Sequence, residues 1–423
     1  MEEKLLHYIW QNQCFTTSSL LTSQQVSLLV LSPGMYNAHA GPDFEHVKII
    51  LDNIIWHGHV EIHVYASQWL EHEHEKDLAY NNVILHVVWQ EDKIILNQQG
   101  EKIPTLELKN YVDIRLLERY QHLMQQKKFV LCENLSATVP VVYQTSAIES
   151  GSIHKLSRKA NDIHNLLQKN AGDWEQTTFQ YLAFALGQPI HAEALLQLAS
   201  RVPITTLKKY ADDVFHLEAL LFGLAGFLQE EPDDAYQQKL KHEFQFLKSK
   251  HTLQNQILPH HIWKFLRLRP ASFPTIKIAQ LAAILHQQPS LFSVLLETDE
   301  PKELQPIFCP SLSAYWQKHY RFGVQTQASI KPGDQSFQQI ILNGAIPLLF
   351  AYGHYIKDEN ISDKALHWLQ NVKPEINHIT KKWKQIGWVA ENAFDTQGLL
   401  ELKKYWCDKK ACLDCTVGHY LLK

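Results

Sequence analysis

Residues 54–65 read IIWHGHVEIHVY, which puts His57, His59, Glu61 and His63 at every second position. In an extended strand such residues share one face. Side chains able to hold a cation or move a proton therefore project together, while Val60, Ile62 and Val64 turn to the opposite, core-facing side. Asp43 stands eighteen residues before Glu61, at the entry to the apolar run 47–51 (VKIIL), with a turn at Asp52-Asn53 between the two runs. Antiparallel pairing of these runs brings Asp43 beside Glu61. Two carboxylates at one place are what a hard divalent cation needs, and such an ion activates a water and steadies phosphoryl charge. The plain alternative is a solvated sheet face preceded by an ordinary turn aspartate.

Other residues bear on the same chemistry. Nine of the 24 histidines fall in residues 1–90. His72 and His74 lie with Asp77 in the polar stretch 67–80, and His86 alternates with Ile84 in 83–89 (VILHVVW). Together they raise a zinc or iron site as an alternative, since imidazole suits those metals better than magnesium. A second cluster, Cys407-x4-Cys412-x2-Cys415, has a metal-ligand spacing, because a tight turn aims two sulfurs inward. The nearest fourth ligand is His419, with Cys132, Cys309 and Cys14 further off in sequence. Zinc is the first expectation there, an iron–sulfur cluster the rival, and buried unbound cysteines the plain reading. Lys403, Lys404, Lys409 and Lys410 surround the cluster.

These residues need elements to position them. Residues 1–31 read as two helices split by the polar stretch 11–19, and Pro33-Gly34 begins a loop that runs to Gly41-Pro42-Asp43. The runs 47–51 and 54–65 form a hairpin. A short polar helix follows over 67–80, then a buried strand over 83–89, then a second hairpin over 93–108 turning at Gln98-Gln99-Gly100. The result is an α/β module over 1–140. A mostly helical region over 141–423 follows and ends in the cysteine cluster. Its apolar positions recur at helical spacing over 214–228 as one amphipathic face, and again over 235–249, 275–287, 361–371 and 376–405. Arg267 and Arg269 are read as a structural ion pair or cap, with phosphate binding the alternative, and Trp316, His319 and Tyr320 as packing.

Composition limits the function classes. A 45% hydrophobic, 20% charged chain of 423 residues is globular and long enough for two or three domains. A net charge of -4 supplies no global basic field for coating nucleic acid. No apolar run is long enough to span a bilayer, and the start MEEKLLHYIW has no secretory character. Six cysteines, three of them within nine residues, point to a reducing compartment rather than a disulfide framework. A cytoplasmic protein without membrane partners is expected.

The order of the module is a helix, Pro42-Asp43 opening a strand, Glu61-Ile62-His63 on the next strand, then a helix and another strand. It resembles the restriction-endonuclease-like fold, in which Asp and Glu-x-Lys hold magnesium or manganese. His63 occupies the place of that lysine, so the resemblance assigns the positioning of water to His63 or to Lys48 on the neighbouring strand. A literal Glu107-Leu108-Lys109 lies 64 residues from Asp43 and ranks lower. As a whole the chain resembles an uncharacterised bacterial family, domain of unknown function 2851. The resemblance rests on Gly41-Pro42-Asp43-Phe44, Val60-Glu61-Ile62-His63, 79–88 (AYNNVILHVV), 218–226 (EALLFGLAG), 267–275 (RLRPASFPT), 343–349 (NGAIPLL), 391–400 (ENAFDTQGLL) and the cysteine tail. It implies a full-length cytoplasmic protein and supplies no activity. The leading expectation is a metal-dependent, nuclease-like phosphodiesterase acting on nucleic acid, with Asp43 and Glu61 as ligands. The rivals are a non-catalytic scaffold or adaptor and a zinc or iron hydrolase built on the histidines.

Overall fold

Leu5, Leu6, Ile9 and Trp10 form one apolar stripe, and they are buried on helix α1 (Glu3–Gln11). The chain then becomes extended: β1 (Leu20–Leu21), β2 (Ser27–Ser32), β3 (Met35–Tyr36), β4 (Phe44–Leu51) and β5 (Ile54–Tyr65). The second helix expected before residue 31 is therefore replaced by strands. The run 26–31 is apolar throughout and fits either period. In the sheet Leu28 and Val30 are buried while Leu29 and Leu31 face out, which is the alternation of a strand. Strands β1, β2, β4 and β5 pair antiparallel in that order, with β3 also on β4. Asp52 and Asn53 turn β4 into β5 with φ of 51° and 65°, the geometry of the tight hairpin turn their residue types favour.

The structure is a computed structural model and describes residues 1–423. After β5 the polar stretch forms a four-residue helix, α2 (Gln68–Glu71), and two short 3-10 turns, His74–Lys76 and Leu78–Asn82. One continuous helix is prevented where Glu73 turns left-handed at φ 59°. Strand β6 (Val83–Gln90) then runs parallel to β5, and β7 (Thr105–Glu107) parallel to β6. The expected second hairpin reduces to one bridge, Leu96 with Lys102, before the chain enters β7. Gly58 lets β5 approach β6: a Cβ there would lie 2.5 Å from Ile84 Cγ2 and 2.6 Å from the Asn82 carbonyl. Helix α3 (Ile114–Met124) packs Leu116, Leu117 and Tyr120 into the same core.

Two compact units divide the chain: Met1–Ala147 with Leu402–Lys423, and Ile148–Glu401. The division at residue 140 placed the cysteine tail with the helical region. Instead the tail belongs to the first unit, because Leu422 is buried in a core it shares with α1, the sheet and α3. The second unit is mostly helical, with one small hairpin of His319–Arg321 and Val324–Gln325. Helix Val214–Leu224 was expected to be amphipathic. It is buried on every side, Glu218 included, and so is most of Pro274–Gln287. Helices Ala235–Lys250 and Glu359–Asn371 match their expected spans, while 376–405 is broken into His378–Gln385 and a helix from Ala393. Trp316 is packed as expected, and Arg267 sits in an irregular loop at φ 62°. No helix is long and apolar enough to cross a membrane.

Candidate metal centre

Antiparallel pairing of Phe44 with Val60 sets Asp43 directly across from Glu61. The two carboxylates interlock: the Asp43 N–H donates to Glu61 Oε2 at 3.1 Å, and the Ile62 N–H donates to Asp43 Oδ2 at 2.9 Å. A bulge between Phe44 and Val47, with His46 at φ 56°, bends β4 next to this point. Such bulges re-aim side chains beside functional sites. The face carrying Glu61 and His63 is not solvated. Segment 68–82 covers it, leaving Glu61 5% and His63 1% exposed.

That cover brings in histidines. His74 Nε2 lies 3.2 Å from Glu61 Oε1, and His63 Nε2 lies 3.6 Å from the same oxygen. His63 Nε2 is 3.1 Å from His72 Nδ1, and His63 Nδ1 is 2.9 Å from His86 Nε2. One ligand atom from each of His63, His72 and His74 falls within 4.8 Å of the others. Behind them the buried Trp69 ring lies edge-on to His74 and His86, and Tyr80 stacks on His74 at 3.9 Å. On the other side α1 supplies His7, whose Nε2 is 3.3 Å from Asp43 Oδ2.

Electrostatics follow from burial. His63 is pushed down to about 2 and His86 to about 3, first by desolvation and then by neighbouring imidazoles, so both are neutral near pH 7. Burial raises the Glu61 carboxyl above its ordinary value, with His74 opposing and Asp43 reinforcing the rise. A divalent ion would relieve this arrangement, since it takes neutral imidazoles and an ionised carboxylate. Two imidazole nitrogens carry the same message. His74 Nε2 and His7 Nε2 are buried without a hydrogen bond although each has a carboxylate oxygen within 3.3 Å.

Not every expected residue joins. Lys48 is in register with His57, four positions along β5 from Glu61, or ~13 Å at ~3.3 Å per residue. The structure therefore separates it from the carboxylates. His57 is exposed, and His59 faces His46 with 6.4 Å between the rings. Glu107 is on β7, with β5 and β6 between it and β4. His419 donates from Nε2 to the Leu413 carbonyl, and its ring lies 5.0 Å from that of Tyr8. His7 was missed in the sequence. Its signal was a lone imidazole among the apolar residues of α1, an element whose position over β5 is a tertiary fact.

A family model described as a protein of unknown function (DUF2851) matches residues 3–378. The chain belongs to that family. The matched span contains Asp43, Glu61 and every histidine of the centre, and it ends before Cys407. No curated protein and no solved structure matches this DUF2851 chain. Its centre is thus described by its own geometry: two carboxylates, a histidine trio and two flanking imidazoles in the first unit.

Proposed function

We propose that the first unit is a metal-dependent phosphodiesterase acting on nucleic acid. Glu61, His63, His72 and His74 hold the ion, and Asp43 with His7 completes its other side. The observation carrying this reading is the convergence of His63, His72 and His74 within 4.8 Å while Glu61 Oε1 stands 3.2 Å from His74. Of magnesium and manganese, imidazole donors favour manganese, and zinc or iron are the next candidates. Held by these residues, a divalent ion would supply a water of lowered pKa and polarise a phosphoryl oxygen. His72 is the exposed member of the trio and the side from which substrate would approach.

The fold order supports the same reading. After α1 comes an antiparallel run β2-β4-β5, then β6 parallel to β5, with Asp43 and Glu61 on adjacent strands. A nucleic-acid substrate is supported by a cavity of about 600 Å³ that includes His7 in its wall. Lys4, Lys409 and Lys410 line it together with Tyr8, Tyr36 and Tyr405. Cations for phosphates beside aromatic rings for bases are the usual furniture of a single-strand groove. Glu2 and Asp414 in the same wall temper its charge.

The test is cleavage of single- and double-stranded DNA and RNA with manganese, magnesium, zinc or iron. Glu61→Gln and His74→Ala should abolish a manganese-dependent activity, while His57→Ala and Lys48→Ala should leave most of it. Absence of cleavage with every ion would favour a non-catalytic scaffold.

A further inference from the structure

Four cysteines belong to the first unit, and the tail carrying three of them is fastened beside the stretch around Cys132, although 274 residues stand between the first and the second. Cys132 lies after α3 and directly precedes the 3-10 turn Glu133–Thr138. Cys407 ends the π-helical turn Lys403–Cys407, Cys412 opens the turn Cys412–Asp414, and Cys415 immediately precedes the C-terminal helix Thr416–Leu422. Side-chain contacts fasten this tail to the stretch around Cys132. Lys403 Nζ lies 5.1 Å over the Phe129 ring, Thr416 Oγ1 donates to the Tyr143 carbonyl at 3.3 Å, and Tyr420 meets Tyr143 at 4.7 Å. Gly418 allows the last helix to close on the cysteine turn, since a Cβ there would fall 1.9 Å from the Cys412 carbonyl.

None of these cysteines is in a disulfide. Burial raises all four thiols, Cys132 and Cys412 to about 12. Beyond burial, the groups acting on Cys407 are Cys132, Cys415 and Cys412, and those acting on Cys412 begin with Cys415 and Cys132. Each thiol is thus within electrostatic reach of others in the set. Cys415 also accepts from the Val417 and Gly418 N–H groups at the start of the last helix, an arrangement that favours a thiolate. Lys403 acts on Cys407 with the opposite sign and offsets negative charge.

We infer that Cys132, Cys407, Cys412 and Cys415 form a tetrathiolate centre for a thiophilic metal, either one zinc ion or one iron–sulfur cluster. Cys132 takes the position that chain proximity had given to His419, whose Nε2 is engaged by the Leu413 carbonyl. The centre staples the tail to the first unit independently of the activity proposed above. Lys409 and Lys410 lie between the second and third ligands in sequence and line the cavity containing His7, so the staple also fixes that wall.

The experiment uses full-length protein purified without oxygen, with elemental analysis for zinc and iron, acid-labile sulfide and visible absorption. One zinc per chain, or iron with matching sulfide and a broad visible band, is expected, and the two results separate the metals. Cys132→Ser should lower occupancy ~tenfold or more, as loss of a ligand should exceed the effect of an outer-shell change, whereas His419→Ala should retain it. If Cys132→Ser does not fold, the wild-type protein refolded with cobalt counts the ligands. A four-sulfur charge-transfer spectrum supports the assignment, and a three-sulfur, one-nitrogen spectrum overturns it. Wild type that takes up no metal on reconstitution, or titrates as disulfides, also overturns it.

Discussion

The two most deeply buried histidines of the centre predict a particular acid sensitivity. His63 and His86 have folded values of about 2 and about 3 against an ordinary 6.5, so the folded state refuses protons that the unfolded chain takes up. The lowered values give stability that is present above pH 6.5 and lost progressively as pH falls toward 3. Each histidine loses about 1 kcal/mol between pH 7.5 and 5.5, and the pair on the order of 3 kcal/mol. Glu61 works the other way, because its raised carboxyl gains over the same descent, so the net loss is smaller than that of the two histidines alone. Denaturant titrations of chelator-treated protein at the two pH values measure this loss. His86→Gln removes one of the two contributions and should make the dependence shallower by about 1 kcal/mol, whatever its effect on absolute stability. Nitrogen-15 spectra of the imidazoles give a direct check, with His63 and His86 remaining neutral at pH 5.5. Ordinary titration of both rings near 6.5, or identical pH dependence in His86→Gln, would refute the reasoning.

Two further outcomes follow from the packing. Glu218 in the second unit is raised to about 7 by burial, with Tyr236 and Trp316 donating to Oε2 at 2.6 and 2.9 Å. Its contribution is complete below 4.5 and is lost as pH rises through 7, a span of about 3 kcal/mol; Glu218→Gln should flatten that fall in a melting series from pH 5 to 8. Gly58→Ala should destabilise the first unit by about 1–3 kcal/mol through the clash with Ile84 and the Asn82 carbonyl, measured by denaturant midpoint. An unchanged midpoint would mean that β5 and β6 can separate without cost.

Much of the centre was legible because strand periodicity is a local rule. The alternation over 54–65 and the turn at Asp52-Asn53 were enough to set Asp43 across from Glu61, and the hydrogen bonds at 3.1 and 2.9 Å realise that pairing. The character of the face was not legible. Segment 68–82 folds back over Glu61 and His63, and no periodicity in a polar stretch announces such a cover. For the same reason His72 and His74 read as neighbours on a separate helix, while in the structure they close on His63. Lys48 was assigned by element alone, and the β4–β5 register places it beside His57. Residues 26–31 show the limit of hydrophobic pattern. A continuous apolar run fits both periods, and only neighbouring strands decide that Leu29 and Leu31 face outward. The tail followed chain proximity to His419, whereas packing of Leu422 into the first core depends on contacts across the whole chain.

The central claim is that one divalent ion sits among Glu61, His63, His72 and His74. Anomalous diffraction from crystals of the full chain grown with manganese tests it most directly. One strong peak is expected within ligand distance, ~2.0–2.3 Å, of Glu61 Oε1 and of imidazole nitrogens from His63, His72 and His74, the range of first-row metal–ligand bonds. The same peak should be absent in Glu61→Gln. A peak elsewhere in the first unit, or a centre that stays dry while the wild-type histidines keep hydrogen-bonding one another, would contradict it.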